Sequence, residues 1–137
     1  MTPRAKATYK ILIVDDDPSV LATYRRLLNR AGYTTVAEDD PQRVLDNGHA
    51  DSEVDLILLD YKMPAMNGLT LLAELRRREC DARCILISAY LNEEVRSQAE
   101  NLGVSRILEK PVEARSLRAT IEELLPLVSR RPAKAAG

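Results

Sequence analysis

The chain has 137 residues, with 20 lysines and arginines against 21 aspartates and glutamates, a length that suits one domain with its own core. The near-neutral balance gives no sign of a nucleic-acid or membrane surface, and no apolar run approaches membrane-spanning length. One histidine and two cysteines are too few for a zinc site, and no secretory signal opens the chain, so we expect a cytoplasmic protein.

The two ends of the chain differ in composition from its centre. Residues 1–9 are polar, basic and without periodicity, which predicts a flexible lead-in. Residues 129–137 combine prolines and alanines with basic side chains, which is typical of a linker. We therefore predict a single folded domain over residues 10–128.

The predicted domain opens with the apolar run Lys10–Val14, which is typical of a strand buried on both faces. Three aspartates follow this run directly. Asp17 precedes Pro18, and such a pair predicts a helix start in which the aspartate caps the backbone. Capping accounts for Asp17 but leaves Asp15 and Asp16 as two unexplained carboxylates at the end of the strand.

A second apolar run, Leu56–Leu59, predicts another buried strand near the middle of the chain. Asp60 stands where this strand leaves the sheet, and turn-forming residues follow at Pro64, Asn67 and Gly68. In open α/β sheets ligands bind at the carboxyl ends of the strands. We therefore interpret Asp60 as a chemical rather than a structural residue.

Patterns of apolar residues, caps and breakers predict the remaining elements. These are strands over Tyr33–Ala37, Cys84–Ile87 and Arg106–Leu108, and helices over Gln42–Asp46, over Leu69–Arg78, from the cap Asn92 to Leu102, and from Ala114 to Leu125. The arginines at 76–78 are interpreted as a solvated helix end. Five strands alternating with helices predict an α/β fold, a single doubly wound parallel sheet covered on both faces.

A parallel sheet gathers at one edge the residues that follow its strands, here Asp15, Asp16, Asp60, Ser88 and Lys110. Crowded carboxylates repel one another, by roughly 4 kcal/mol per pair at about 4 Å and an effective dielectric of about 20. Such crowding favours a bound cation, and ligation by oxygen alone suits Mg²⁺ better than zinc. A carboxylate nucleophile with Mg²⁺, a lysine and a hydroxyl predicts a site that accepts a phosphoryl group.

Four motifs, in this order, resemble those of receiver domains of bacterial two-component response regulators, the family that includes chemotaxis regulators. They are Ile11–Pro18, Leu58–Asp60 with Met63–Gly68, Ile87–Ala89 and Lys110–Pro111. Together they cover nearly the whole predicted domain. The resemblance implies a five-stranded, flavodoxin-like (βα)5 fold with the strand order 2-1-3-4-5.

The resemblance also implies roles for individual residues. Asp60 would receive the phosphoryl group as an aspartyl phosphate, and the peptide bond before Pro111 is often cis in the family. The implied Mg²⁺ ligands are Asp16 and Asp60 directly, Asp15 mainly through water, and the backbone carbonyl of Lys62. The residues implied to contact phosphoryl oxygens are Ser88, Ala89 and Lys110.

The family's partners follow from the same resemblance. A sensor histidine kinase or a phosphotransfer protein would donate the phosphoryl group, and a downstream protein or a fused output domain would receive the signal. We expect no direct contact of this domain with nucleic acid or membrane, while the resemblance leaves homodimerisation open. Such a domain is not an enzyme in its own right, although it assists its own phosphorylation and dephosphorylation.

One position departs from the family pattern. Receivers usually carry Tyr or Phe three residues before the lysine of the fifth strand, whereas this chain has Ile107. Ser88 and Ile107 are therefore the candidate switch residues, and we expect a muted structural response around Ile107 because its side chain is short and stiff. The departure leaves one alternative open, a receiver-like interaction scaffold that acts independently of phosphorylation.

Overall fold

The computed structural model describes residues 6–48 and 53–128 of the chain, and strands and helices alternate throughout them. The strands are β1 (Lys10–Val14), β2 (Thr34–Glu38), β3 (Leu56–Asp60), β4 (Arg83–Ser88) and β5 (Arg106–Glu109). The helices are α1 (Pro18–Arg30), α2 (Pro41–Asn47), α3 (Gly68–Arg77), α4 (Glu93–Asn101) and α5 (Ala114–Leu124). Every predicted element is confirmed, and the ends differ by only a residue or two.

The five strands form one parallel sheet in the order β2-β1-β3-β4-β5, which confirms the expected fold. β3 lies at the centre and is buried along its whole length. Because all strands run in the same direction, the carboxyl ends of β1, β3, β4 and β5 meet at one edge of the sheet.

Helices cover both faces of the sheet and divide the core into two clusters. On one face, residues such as Leu12 and Leu59 pack against α2, α3 and α4. On the other face, their neighbours Ile13 and Leu58 pack against α1 and α5. Successive residues of each central strand are therefore buried on opposite faces, which explains why these strands appear in the sequence as unbroken apolar runs.

The segment before β1 packs against the chain that follows α5. Lys6 forms a parallel bridge with Leu127, and its backbone N–H donates to the carbonyl oxygen of Pro126 at 3.3 Å. Tyr9 is buried, and its hydroxyl donates to the same carbonyl at 3.1 Å. Part of the predicted flexible lead-in therefore bonds to the chain that follows α5, a contact without any local sequence pattern, and its flexibility stays a prediction.

The rest of the predicted lead-in, residues 1–5, and the predicted linker at 129–137 lie outside the described residues. The limits of the domain therefore stay a proposal, in which the contacts of Lys6 move the start from residue 10 to residue 6. Among the helices of the described ranges, none combines the length and the hydrophobicity that crossing a membrane requires.

One of the three arginines at positions 76–78, which were predicted to form a solvated helix end, is partly withdrawn from solvent. Arg76 is half-buried, and its guanidinium donates to the carbonyl oxygens of Cys80 and Ala82 and to that of Leu102 at 2.8–2.9 Å. These bonds tie the end of α4 and the loop before β4 to α3. The other two arginines are exposed, as predicted.

Candidate functional site

The end of β1 places one carboxylate inside the protein and one outside. Asp15 is 3% exposed, whereas Asp16 is exposed to solvent. A carboxylate oxygen of Asp15 accepts a hydrogen bond from the backbone N–H of Asp17 at 2.9 Å. Asp17 in turn caps α1, as predicted, because its carboxylate accepts from the N–H of Ser19 at 2.9 Å. The turn into α1 therefore fixes the direction of the Asp15 side chain.

Asp60 is the last residue of β3 and is 4% exposed. Val14 pairs with Leu59 in the sheet, so Asp15 and Asp60 leave neighbouring strands side by side. Carboxylate oxygens of Asp15, Asp16 and Asp60 all lie within 4.8 Å of one another. The sheet edge thus brings together the three acids that the sequence predicted to lie there.

Lys110 supplies the positive charge of this cluster. Its Nζ lies 2.8 Å from Oδ1 of Asp60 and 4.0 Å from Oδ2 of Asp15. The backbone N–H of Lys110 donates to the carbonyl oxygen of Ser88 at 2.9 Å, which anchors the end of β5 to β4. The bond between Lys110 and Pro111 is cis, as the resemblance implied.

The electrostatics of the cluster follow from burial and from like charges. Burial and, to a smaller extent, the charge of Asp60 together raise the pKa of Asp15 to about 6, against the hydrogen bond from Asp17. Burial also raises the pKa of Asp60, although the hydrogen bond from Lys110 opposes this. Burial opposes the ammonium form of Lys110, but the bond to Asp60 and the charges of Asp60 and Asp15 outweigh it and raise its pKa. The edge therefore carries more negative charge than its lysine balances.

The raised pKa of Asp15 predicts a destabilising charge in the metal-free protein. Because the folded state binds this proton more tightly than the unfolded state, the contribution of Asp15 to stability falls as pH rises from about 4 to 6. Asp15→Asn keeps an acceptor for the Asp17 N–H and removes the charge. We expect it to raise the free energy of unfolding at pH 7.5 by about 1–3 kcal/mol, measured by denaturant titration in chelator.

The matched control for this prediction is Asp17→Asn. Asp17 is exposed, and asparagine also caps helices well, so this variant should gain no stability. An Asp15→Asn protein that is no more stable than the parent at pH 7.5 contradicts the charge-crowding account.

A cavity of about 620 Å³ opens above the cluster. Six of the predicted site residues line it: Asp15, Asp16, Asp60, Lys62, Ala89 and Lys110. Ser88 is buried at the end of β4, and its hydroxyl both donates to the carbonyl of Tyr90 and accepts from the N–H of Tyr90, each at 2.9 Å. Ile107 lies half-buried on β5 and packs against the core on the α4 side of the sheet.

Several residues that line the cavity were not among the site residues predicted from the sequence. Val20, Met63, Pro64 and Tyr90 also line the cavity and give it a partly apolar rim. Tyr90 could have been suspected from its position two residues after Ser88. However, loops have no periodicity from which the direction of a side chain can be predicted.

Gly68 has a structural role beside Asp60 that could not be predicted from the sequence. It begins α3, and its N–H donates to the carbonyl oxygen of Tyr61 at 2.7 Å. A Cβ atom at this position would lie 2.4 Å from the backbone oxygen of Asp60. In the sequence Gly68 was a turn former and the end of the motif Met63–Gly68, whereas the structure shows that it lets α3 approach the backbone of Asp60.

The family model and the similar curated proteins all point to one family. The family model of the response regulator receiver domain matches residues 11–122. The chain is 30% identical over 120 residues to sporulation initiation phosphotransferase F of Bacillus subtilis, covering 88% of this chain and 96% of that protein. It is 35% identical over 116 residues to the transcriptional regulatory protein CpxR of Klebsiella pneumoniae, covering 85% of this chain but 49%, about half, of that protein.

Solved structures show the same fold. A response regulator protein from Thermotoga maritima, determined in complex with Mg(2+)-BeF, superimposes with a TM-score of 0.72 at 27% sequence identity. The match covers 85% of this chain and 99% of that one.

Proposed function

The chain belongs to the family of response regulator receiver domains, and we propose that Asp60 is its phosphoacceptor, in a reaction that depends on Mg²⁺. One observation carries this proposal. The buried carboxylate of Asp60 lies 2.8 Å from Lys110, with the carboxylates of Asp15 and Asp16 within 4.8 Å, at the carboxyl edge of the sheet. A residue kept only for stability would not be crowded by two like charges.

The chemistry proposed for Asp60 is nucleophilic attack by a carboxylate oxygen on phosphorus. A bond forms between this oxygen and phosphorus while the bond from phosphorus to the donor breaks, and the donor keeps the electron pair. The ammonium of Lys110 and the hydroxyl of Ser88 are the groups that we propose to contact the incoming phosphoryl oxygens, together with Ala89 through its backbone.

The donor set at the edge fits Mg²⁺. Asp15, Asp16 and Asp60 offer carboxylate oxygens alone, which hard divalent cations prefer, and their net charge is not balanced by Lys110. We propose that these three acids hold the ion, with the backbone carbonyl of Lys62 as a further ligand. Mg²⁺ bound there would neutralise charge on the transferring phosphoryl group. The Mg(2+)-BeF complex of the Thermotoga maritima protein supports this proposal.

Donors and outputs are proposed from the family as a whole. A histidine kinase or a phosphotransfer protein would supply the phosphoryl group, and a downstream protein or a fused output domain would read the signal. Receiver domains are phosphoacceptors rather than members of an enzyme family. We propose that this one assists its own phosphorylation and dephosphorylation and acts in the cytoplasm, and that Ser88 and Ile107 are switch residues, with Ile107 giving only a muted response.

Incubation with acetyl phosphate tests the proposed function. We expect the intact mass to increase by one phosphoryl group when Mg²⁺ is present and to stay unchanged in excess chelator, because the crowded acids need the cation to admit another anion. The control is the same incubation with acetate in place of acetyl phosphate. Equal phosphorylation in chelator would contradict the role of Mg²⁺, and none in either condition would favour the scaffold alternative.

A further inference from the structure

Tyr90 is an exposed aromatic residue at the mouth of the Asp60 cavity, and the proposed reaction does not use it. The chain has five tyrosines and neither phenylalanine nor tryptophan. Tyr90 is 60% exposed, whereas the other four tyrosines are buried or half-buried. Aromatic residues such as tyrosine are common sites of partner recognition, so the contacts of this ring matter for function.

Lys62 is the side chain that Tyr90 contacts across the cavity mouth. The Nζ of Lys62 lies 5.0 Å from the centroid of the Tyr90 ring, a cation–π contact. Within residues 6–48 and 53–128, Lys62 forms no ion pair, although four carboxylates line the same cavity. Lys62 follows β3 and Tyr90 follows β4, so their contact joins the two loops that flank Asp60.

A phosphoryl group on Asp60 would compete with the Tyr90 ring for this lysine. The phosphoryl group carries roughly −1.5 to −2 charge and three acceptor oxygens, and it replaces the single charge of the Asp60 carboxylate. Together with Asp15 and Asp16, this negative charge exceeds the positive charge that one Mg²⁺ and Lys110 supply. A solvent-exposed cation–π contact is weak in comparison with a charge-assisted hydrogen bond to a phosphoryl oxygen.

The backbone of Tyr90 is tied to the same event through Ser88. The Ser88 hydroxyl has a single proton, which it donates to the carbonyl oxygen of Tyr90 at 2.9 Å. If this proton turns to a phosphoryl oxygen, the bond to Tyr90 is lost. Phosphorylation would therefore weaken the contacts that hold both the ring and the carbonyl of Tyr90.

We propose that Lys62 exchanges the Tyr90 ring for the phosphoryl group, so that Tyr90 is the aromatic side chain that reports phosphorylation in this receiver. The inference rests on the proposed phosphorylation of Asp60. The structural response would then lie beside the cavity, in the loop that leads into α4. Tyr90 would report phosphorylation in a chain that has isoleucine at position 107, where receivers usually carry an aromatic residue.

Tryptophan fluorescence tests the exchange, because the chain has no tryptophan of its own. Tyr90→Trp introduces a single tryptophan, which can be excited apart from the four remaining tyrosines, and retains the cation–π contact, for which an indole is the best partner. Acetyl phosphate and Mg²⁺ are added, and emission is read against the phosphorylated fraction from intact mass. We expect emission to change in proportion to that fraction. Adding Lys62→Met should give the phosphorylated emission before any donor is added and abolish the further change, whereas Lys62→Arg should preserve the response.

The outcomes separate this inference from the function on which it rests. Full phosphorylation of the Tyr90→Trp protein without an emission change overturns the exchange and leaves the phosphoacceptor function intact. A resting Lys62→Met protein that emits like its parent overturns it as well, because the cation–π contact would then be absent. If the wild-type chain forms no adduct, the phosphoacceptor function fails, and the exchange fails with it.

Discussion

Asp60→Asn is expected to reduce phosphorylation by acetyl phosphate to below detection. The amide has nearly the same shape as the carboxylate, so β3 and its buried end should keep their structure, but an amide oxygen is a poor nucleophile for phosphorus. Asp15 and Asp16 do not replace it, because Lys110 holds Asp60 at 2.8 Å and reaches Asp15 only at 4.0 Å. Intact mass under Mg²⁺ and acetyl phosphate measures the effect.

The matched control is Asp55→Asn, which changes the aspartate that precedes the same strand. Asp55 pairs with Lys6 and accepts from the N–H of Lys10 at 2.9 Å, far from the carboxyl edge of the sheet. This variant should be phosphorylated like the parent protein. Persistent phosphorylation of a folded Asp60→Asn protein would mean that another side chain is the acceptor.

Gly68→Ala is expected to destabilise the protein by about 2–4 kcal/mol, although alanine usually stabilises a helix relative to glycine. The added Cβ would lie 2.4 Å from the backbone oxygen of Asp60 and 3.0 Å from the side chain of Leu59. Neither β3 nor α3 can move away freely, because β3 is fully buried between its neighbours. Denaturant unfolding measures the loss, and we also expect slower phosphorylation because the strain acts on Asp60.

Thr70→Ala provides the control for this effect in the same helix. Thr70 is exposed, so its substitution should change the free energy of unfolding by no more than about 0.5 kcal/mol. If Gly68→Ala is as stable as Thr70→Ala, the close approach of α3 to β3 does not restrict position 68 to glycine.

The parts of the fold that could be predicted from the sequence are those with a local signal. Apolar runs such as Lys10–Val14 and Leu56–Leu59 identified buried strands, and caps such as Asp17 and Asn92 identified helix starts. The acids at the sheet edge were predictable for a topological reason, because parallel strands gather their carboxyl ends. The strand order itself came from the resemblance to receivers rather than from any pattern.

The parts that could not be predicted depend on contacts between distant segments. The bridge from Lys6 to Leu127 and the bonds of Arg76 to Leu102 join residues with no shared periodicity. The contact of Lys62 with Tyr90 depends on the paths of two loops, which sequence patterns do not fix. Local composition therefore located the reactive acids but not the side chains around them.

The most direct test of the central claim is to map the phosphoryl group on the wild-type chain after incubation with acetyl phosphate and Mg²⁺. Peptide mass spectrometry at a pH that preserves acyl phosphates identifies the modified residue. The arrangement of Asp15, Asp16 and Lys110 around a buried carboxylate predicts a phosphoryl group on Asp60 alone, and none when the ion is chelated. A phosphoryl group on any other residue, or an equal yield at Asp60 in chelator, would contradict a Mg²⁺-dependent phosphoacceptor at this edge of the sheet.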